Sequence, residues 1–195
     1  MRKLIRKLSD MRGISGFEYR LTDQIADMFK KYCDDVKIDS LGSVIAVKRS
    51  NKPNAPKLMI EAHCDEIGLI VTSITDEGYL TFANVGGVDE RTLPSTEVTV
   101  HGKEDLWGVI GIKPNYLLEQ GKTAKLKELA VDTGLSAEKV KELAAVGDSI
   151  TLAQSVGRLG KKQFSGKSLD DRASVAAIMR VMKNIKDLDI DIDVY

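Results

Sequence analysis

A chain of 195 residues with 43% hydrophobic side chains can build one or two cored domains, which excludes wholesale disorder. Its 29 basic residues balance 29 acidic ones, so neither nucleic acid nor an anionic membrane is expected as the main partner. No apolar run approaches the ~20 residues of a membrane span, and the basic start Met1-Arg2-Lys3-Leu4-Ile5-Arg6-Lys7-Leu8 lacks the unbroken apolar stretch of a signal peptide. Cytoplasmic residence follows as the expectation, with Cys33 and Cys64 as reduced thiols, although their number alone would allow one disulfide.

Leu4, Ile5, Leu8 and Met11 predict a short amphipathic helix ending near Gly13 and Gly16, and Phe17, Leu21, Ile25, Met28 and Phe29 a second one reaching about Tyr32. Val36 and Ile38 alternate with polar residues, residues 39–43 form a turn, and Val44 to Val47 return as a strand. After the loop 51–56, the apolar run Lys57-Leu58-Met59-Ile60 reads as a buried strand. Beyond Gly68 the texture changes to short strands separated by glycine turns: Leu69 to Ile74, Tyr79 to Phe82, Val98 to Val100 and Leu106 to Ile112. This spacing suggests a small β-barrel or sandwich. One helix interrupts it, with Ser136 as N-cap and Leu135 and Val140 as a hydrophobic staple, before Ser149 to Leu152 resume strand character. Asp170-Asp171-Arg172 then opens a helix bearing Val175, Ile178, Met179, Met182 and Ile185, and Leu188, Ile190, Ile192 and Val194 alternate with aspartates as a strand with one apolar face. The organisation expected is an α/β domain made of residues 1–68 and 160–195, interrupted by a β-rich domain over 69–159.

His63 and Asp65 follow the Lys57–Ile60 strand, so they lie at its carboxyl end, where open α/β sheets bind ligands. Two residues apart in an extended chain, they point the same way. A neutral imidazole is a good ligand for a divalent metal, and a carboxylate beside it can fix its tautomer. The competing reading is a satisfied core histidine beside a turn-capping aspartate. Taken alone, Asp170-Asp171-Arg172 reads first as an N-cap aspartate followed by an Asp–Arg pair on the first helical turn, and second as a carboxylate able to bridge two metal ions. Asp187, Asp189 and Asp191 imitate the start of a calcium loop, but Ile192 stands where that loop needs glycine, and the strand pattern prevails. His101, before Gly102, is expected at the surface of a turn, and Trp107 in the β domain's core or at an interface. There is no phosphate-cradling glycine loop, nucleophile elbow or CxxC pair.

Four ordered motifs resemble those of the tetrahedral aminopeptidases, a family of cytosolic metallopeptidases that includes glutamyl and deblocking aminopeptidases and relatives labelled endoglucanase or cellulase. Ala62-His63-Cys64-Asp65-Glu66-Ile67-Gly68 is similar to AHxDEIG, and Val85-Gly86-Gly87-Val88-Asp89 to a GGWD turn. Gly108-Val109-Ile110-Gly111-Ile112-Lys113-Pro114 is similar to GVIGxKP, and Gly166-Lys167-Ser168-Leu169-Asp170-Asp171-Arg172 to GKALDDR. The resemblance implies a zinc-exopeptidase-like α/β domain, incomplete here, with an inserted β-barrel used for dimerisation, and dimers that assemble to a dodecamer. It also implies two divalent ions, zinc or cobalt, with His63 binding one, Asp170 bridging both, and the catalytic Asp65 orienting His63 without touching metal. The reaction implied is release of an N-terminal amino acid from a peptide substrate. In the family, the strand after the DDR helix leads to a Glu–Glu pair that supplies the general base and a further ligand. No such pair follows Asp170, so the chain is expected to be the N-terminal part of the enzyme, catalytically incomplete by itself. The rival expectations are a non-catalytic assembly or peptide-binding module, and a glucan hydrolase, which would need paired carboxylates and no metal.

Overall fold

The computed structural model describes residues 1–112 and 124–195, so Lys113 and Pro114 of the third motif lie outside the described residues. In chain order the elements are α1 (Arg2–Asp10), α2 (Tyr19–Phe29), β1 (Asp35–Ile38), β2 (Val44–Val47), β3 (Lys57–Leu58), β4 (Gly68–Ile74), β5 (Leu80–Val85), β6 (Glu97–His101), β7 (Asp105–Ile112), β8 (Leu129–Asp132), α3 (Ala137–Leu143), β9 (Ser149–Leu152), β10 (Gly157–Leu159), β11 (Gln163–Ser165), α4 (Leu169–Ile185) and β12 (Asp193–Val194). They form two compact units, one of residues 1–65 and 155–195, the other of residues 66–154. No helix among the described residues is long and apolar enough to cross a membrane.

In the first unit, Leu8 of α1, Leu21, Ile25 and Phe29 of α2, and Val175, Ala176, Met179 and Met182 of α4 converge in one core. The helices form because these apolar residues recur at three- and four-residue spacing, leaving polar residues outside. β1 and β2 make an antiparallel hairpin. Asp39 closes its turn by accepting the N–H groups of Leu41 and Ser43, each at 2.9 Å. β12 runs parallel to β3, and one bridge ties it to the end of β2, with Lys48 and Val194 exchanging bonds of 2.9 and 2.8 Å. The two pairs, β1–β2 and β12–β3, are two-stranded sheets that meet, among the described residues, only at this bridge.

Two expectations fail in the second of these sheets. The alternation over residues 187–194 yields a strand only at Asp193–Val194. Ile190 and Ile192 do pack on the core, which produces the pattern. The intervening aspartates, however, are held by the 51–52 loop: Asp189 accepts from Asn51 Nδ2 at 3.2 Å, and Asp191 pairs with Lys52 Nζ at 2.6 Å. The run Lys57–Ile60 is extended but not buried, and Met59 is 72% exposed. Its pairing with β12 is only two residues long, and it borders an open groove instead of a second layer.

The second unit is a closed barrel in the order β4-β5-β8-β7-β6-β9. Closure leaves no sheet edge to protect. Alternate residues of each strand, among them Leu69, Val71, Leu80, Phe82, Val98, Val100, Ile110, Val131 and Ile150, fill its interior. α3 adds Val140 and Leu143 to that core, and its N-cap Ser136 accepts the Lys139 N–H. Trp107 sits on the barrel's outer face, 58% exposed, so it does not fill the core. His101 is likewise not a free turn residue. The strand register brings it opposite Asp105 on β7 and two pairs from Thr151 on β9, and its ring nitrogens meet Asp105 Oδ1 at 2.7 Å and Thr151 Oγ1 at 2.8 Å.

One buried cation organises the first unit. Arg172 is fully buried. Its guanidinium donates to the carbonyls of Leu8 (3.0 Å), Ser9 (3.3 Å), Met11 and Gly13 (3.4 Å), and its Nε to that of Cys64 (2.7 Å). It thereby caps the carbonyl end of α1, where the helix leaves acceptors unsatisfied and a cation is favoured. Arg172→Met, close in length but without donors, is expected to cost at least ~3 kcal/mol because several buried carbonyls lose their partner. The check is a lower urea midpoint for loss of helical circular dichroism.

Both cysteines are free thiols. Burial, aided by the Asp34 charge, pushes the Cys33 thiol up to about 11. The reactive thiolate therefore appears only as pH climbs toward that value, and at pH 8 it is about a thousandth of the population. Iodoacetamide should modify Cys33 ~100-fold more slowly than free cysteine at pH 8. Mass spectrometry of timed aliquots measures this, and the rate should rise with pH beyond 9.

Candidate functional site

The chain stays extended beyond β3, and Ala62 and Cys64 turn their side chains to the core. Alternation then sends His63 and Asp65 to the opposite face, as the two-residue spacing requires. Nδ1 of His63 lies 3.0 Å from Asp65 Oδ1, and Nε2 lies 3.0 Å from Asp170 Oδ1. The structure therefore brings together all three residues singled out from the sequence, although 107 positions separate His63 from Asp170.

Asp170 does not cap α4. Its backbone (φ −89°, ψ 108°) and that of Asp171 (φ −120°, ψ 31°) are non-helical, and Ser168 before them is left-handed at φ 57°. This irregular entry turns the Asp170 carboxylate away from the helix and toward His63, leaving its side chain 96% exposed.

Ser15 is the contributor that sequence reasoning missed. Its hydroxyl donates to Asp65 Oδ2, so that carboxylate is held by His63 on one oxygen and Ser15 on the other. The only signal was a serine between Gly13 and Gly16, the latter at φ +88°, in the turn after α1. Arg172 was visible as part of a motif but not as the clamp on the Cys64 carbonyl, which fixes the backbone between His63 and Asp65.

Electrostatics follow from these contacts. The hydrogen bond to Asp170 raises the His63 pKa above its ordinary value, partial burial opposes this, and Asp65 adds to the rise. For Asp65, burial works upward, but the Ser15 and His63 bonds outweigh it and hold the carboxyl below the usual range. Burial pushes the Cys64 thiol up. A histidine so flanked binds a proton readily, and the same converging Nε2 and Oδ1 can bind a metal cation in the proton's place. The donors are right in kind and too few in number. Among the described residues, no group of three or more His, Cys, Asp and Glu side chains is disposed to hold a metal ion. His63 and Asp65 also line the groove beside β3, a cavity of about 1250 Å³.

Residues 42–195 match the M42 glutamyl aminopeptidase family. The lysyl aminopeptidase of Pyrococcus furiosus is 33% identical over 198 residues, covering 97% of this chain and 56% of that protein. Among solved structures, an aminopeptidase from the archaeon Desulfurococcus kamchatkensis superposes with a TM-score of 0.90 at 36% identity, over 98% of this chain and 53% of that one. The TET1 peptidase of Pyrococcus horikoshii, described as assembling into a tetrahedron or a large octahedral shell, gives 0.87 at 34% identity, over 99% and 58%. The chain thus spans about half the length of the relatives it matches. On the extent of the family match and the identity to these relatives, the chain belongs to the M42 glutamyl aminopeptidase family.

Proposed function

We propose that this chain supplies the amino-terminal share of a metal-dependent aminopeptidase site that removes N-terminal residues from peptides in the cytoplasm. The observation that carries the reading is the His63 imidazole held between Asp65 and Asp170, 3.0 Å from each, at the carboxyl end of a sheet strand. His63 Nε2 would ligate one divalent ion, zinc or cobalt, and the exposed Asp170 carboxylate would bridge to a second. When bound, such a pair polarises a peptide carbonyl and makes water a nucleophile at neutral pH. Asp65 holds the Nδ1 proton, fixing the tautomer that leaves Nε2 free to ligate, and Ser15 holds Asp65. His63, Asp65 and Asp170 supply ligands and their support, and no general base is among these three, so the role proposed for them is to position metal and not to move the substrate's proton.

Two readouts test this. Cobalt(II) titration of the chain, followed by its visible absorption, should give weak binding that His63→Ala abolishes and Asp65→Asn weakens ~10–100-fold. Binding indifferent to both substitutions would end the proposal. Aminoacyl-nitroanilide hydrolysis by the same chain should lie at least ~100-fold below that of the Desulfurococcus kamchatkensis aminopeptidase, since removing a general base typically costs that much. Full turnover abolished by Asp65→Asn would show instead that the site is complete.

The barrel is proposed as the surface through which copies of the chain associate. An outward tryptophan on a closed, edge-free barrel presents apolar area to a partner, and the Pyrococcus horikoshii relative forms shells. Light scattering should find an oligomer that Trp107→Asp dissociates at least ~10-fold more readily.

A further inference from the structure

The turn that carries Ser15 is built to one shape. Phe17 donates to the Ile14 carbonyl at 2.9 Å, which closes a reverse turn over Ser15 and Gly16. Gly16, third of its four residues, has φ +88°, the left-handed value that a type II turn requires there. The turn is anchored ahead of its corner: Ile14 is fully buried, and the Gly13 carbonyl accepts from Arg172 at 3.4 Å. The corner itself, Ser15 and Gly16, is exposed. Glu18 holds it, its Oε1 accepting the Gly16 N–H at 2.8 Å. The plain role for this glutamate would be that of an acid at the start of α2, where the helix dipole favours negative charge. Glu18 does stand at the N-cap position, yet its side chain makes no cap bond to α2. The carboxylate reaches back to the turn instead.

We infer that Glu18 is a positioning residue for the His63 site and acts through this turn. It holds the Gly16 N–H, the held corner aims the Ser15 hydroxyl at Asp65, and Asp65 meets His63 Nδ1 at 3.0 Å. The physical reason lies in the exposure of Ser15. A hydroxyl in water loses little by bonding to solvent, so its bond to Asp65 persists only where the backbone already points it there. The buried Ile14 and the Arg172 bond fix the entry to the turn, and Glu18 fixes its corner. Serine, left-handed glycine and glutamate at 15, 16 and 18 therefore work as one device. The purpose of the row rests on the metal-site reading of His63, whereas the link from Glu18 to Asp65 is read from the bonds alone.

The test uses Glu18→Asp in the full chain. Aspartate keeps the charge and is the better N-cap residue, so α2 is not weakened. One methylene shorter, it bonds forward to helix N–H groups and gives up Gly16. Cobalt(II) affinity should fall ~5-fold, the worth of one hydrogen bond, while helical circular dichroism and melting temperature hold. Glu18→Gln keeps an oxygen for the Gly16 N–H and should bind cobalt within ~2-fold of the parent. In a Ser15→Ala background, Glu18→Asp should cost less than ~2-fold, because the hydroxyl it aims is already gone. Equal losses in the two backgrounds, or an unchanged affinity in Glu18→Asp alone, would overturn the inference. A second readout needs no metal. By NMR of the metal-free chain, the His63 Nδ1 proton should exchange with water ~5-fold faster in Glu18→Asp and recover in Glu18→Gln; equal exchange in all three forms would also overturn it. If His63→Ala leaves cobalt binding unchanged, the metal-site reading fails by itself, and the proton-exchange series still decides the role of Glu18.

Discussion

The arrangement of the first unit depends on placing one guanidinium where water cannot reach it. A buried charge is costly unless every donor is used, and Arg172 uses its donors on the carbonyls of five residues from two separate segments. The first segment is the end of α1 and the turn that leads to Ser15. The second is Cys64, between His63 and Asp65. Arg172 itself stands two residues after Asp170. A single side chain therefore sets the relative positions of all four residues in the hydrogen-bonded row. Lysine could not replace it, because one ammonium offers three donors at a point, whereas the planar fork reaches acceptors spread along a helix end and a strand end.

The row that results is ordered by its protons. Ser15 donates to Asp65, Asp65 faces Nδ1 of His63, and Nε2 faces Asp170. Support is strongest at the Ser15 end and weakest at Asp170, whose carboxylate is almost wholly in water. The gradient suits a ligand set in which Asp65 shapes the imidazole and Asp170 remains open to a second contact. The irregular backbone at residues 168–171 serves the same end, since a carboxylate capping α4 would have its oxygens turned onto the helix N–H groups.

What was legible in the sequence follows from what is local. The barrel strands are readable because inward residues alternate within each strand, as in Val98–Val100 and Leu69–Val71, and a closed barrel enforces that alternation along its whole length. His63 and Asp65 are readable because a two-residue spacing fixes their common face. Ser15 is not, because its role lies in a bond across 50 positions and nothing in its own neighbourhood requires an acceptor. The segment 187–192 misleads because core contacts at Ile190 and Ile192 produce strand-like alternation, while the decisive bonds to Asn51 and Lys52 come from another loop. Of the two places expected for Trp107, the core is excluded, because hydrophobicity does not say which face of a strand is inside and β7 turns Leu106 and Ile110 inward instead.

The sheet that carries the site contributes little to holding it. A parallel pair of two residues and one bridge is a weak ladder, and parallel pairing is the less stable kind per residue. Cohesion comes instead from the helices, where Leu8, Leu21, Ile25, Phe29, Val175, Met179 and Met182 bury a continuous apolar core. Ala62 and Cys64 lean on that core from one side, and Arg172 holds the Cys64 carbonyl. The His63–Asp65 segment is thus fixed by side-chain packing and one cation, not by strand pairing. The imidazole is therefore held by the core on one side and the guanidinium on the other.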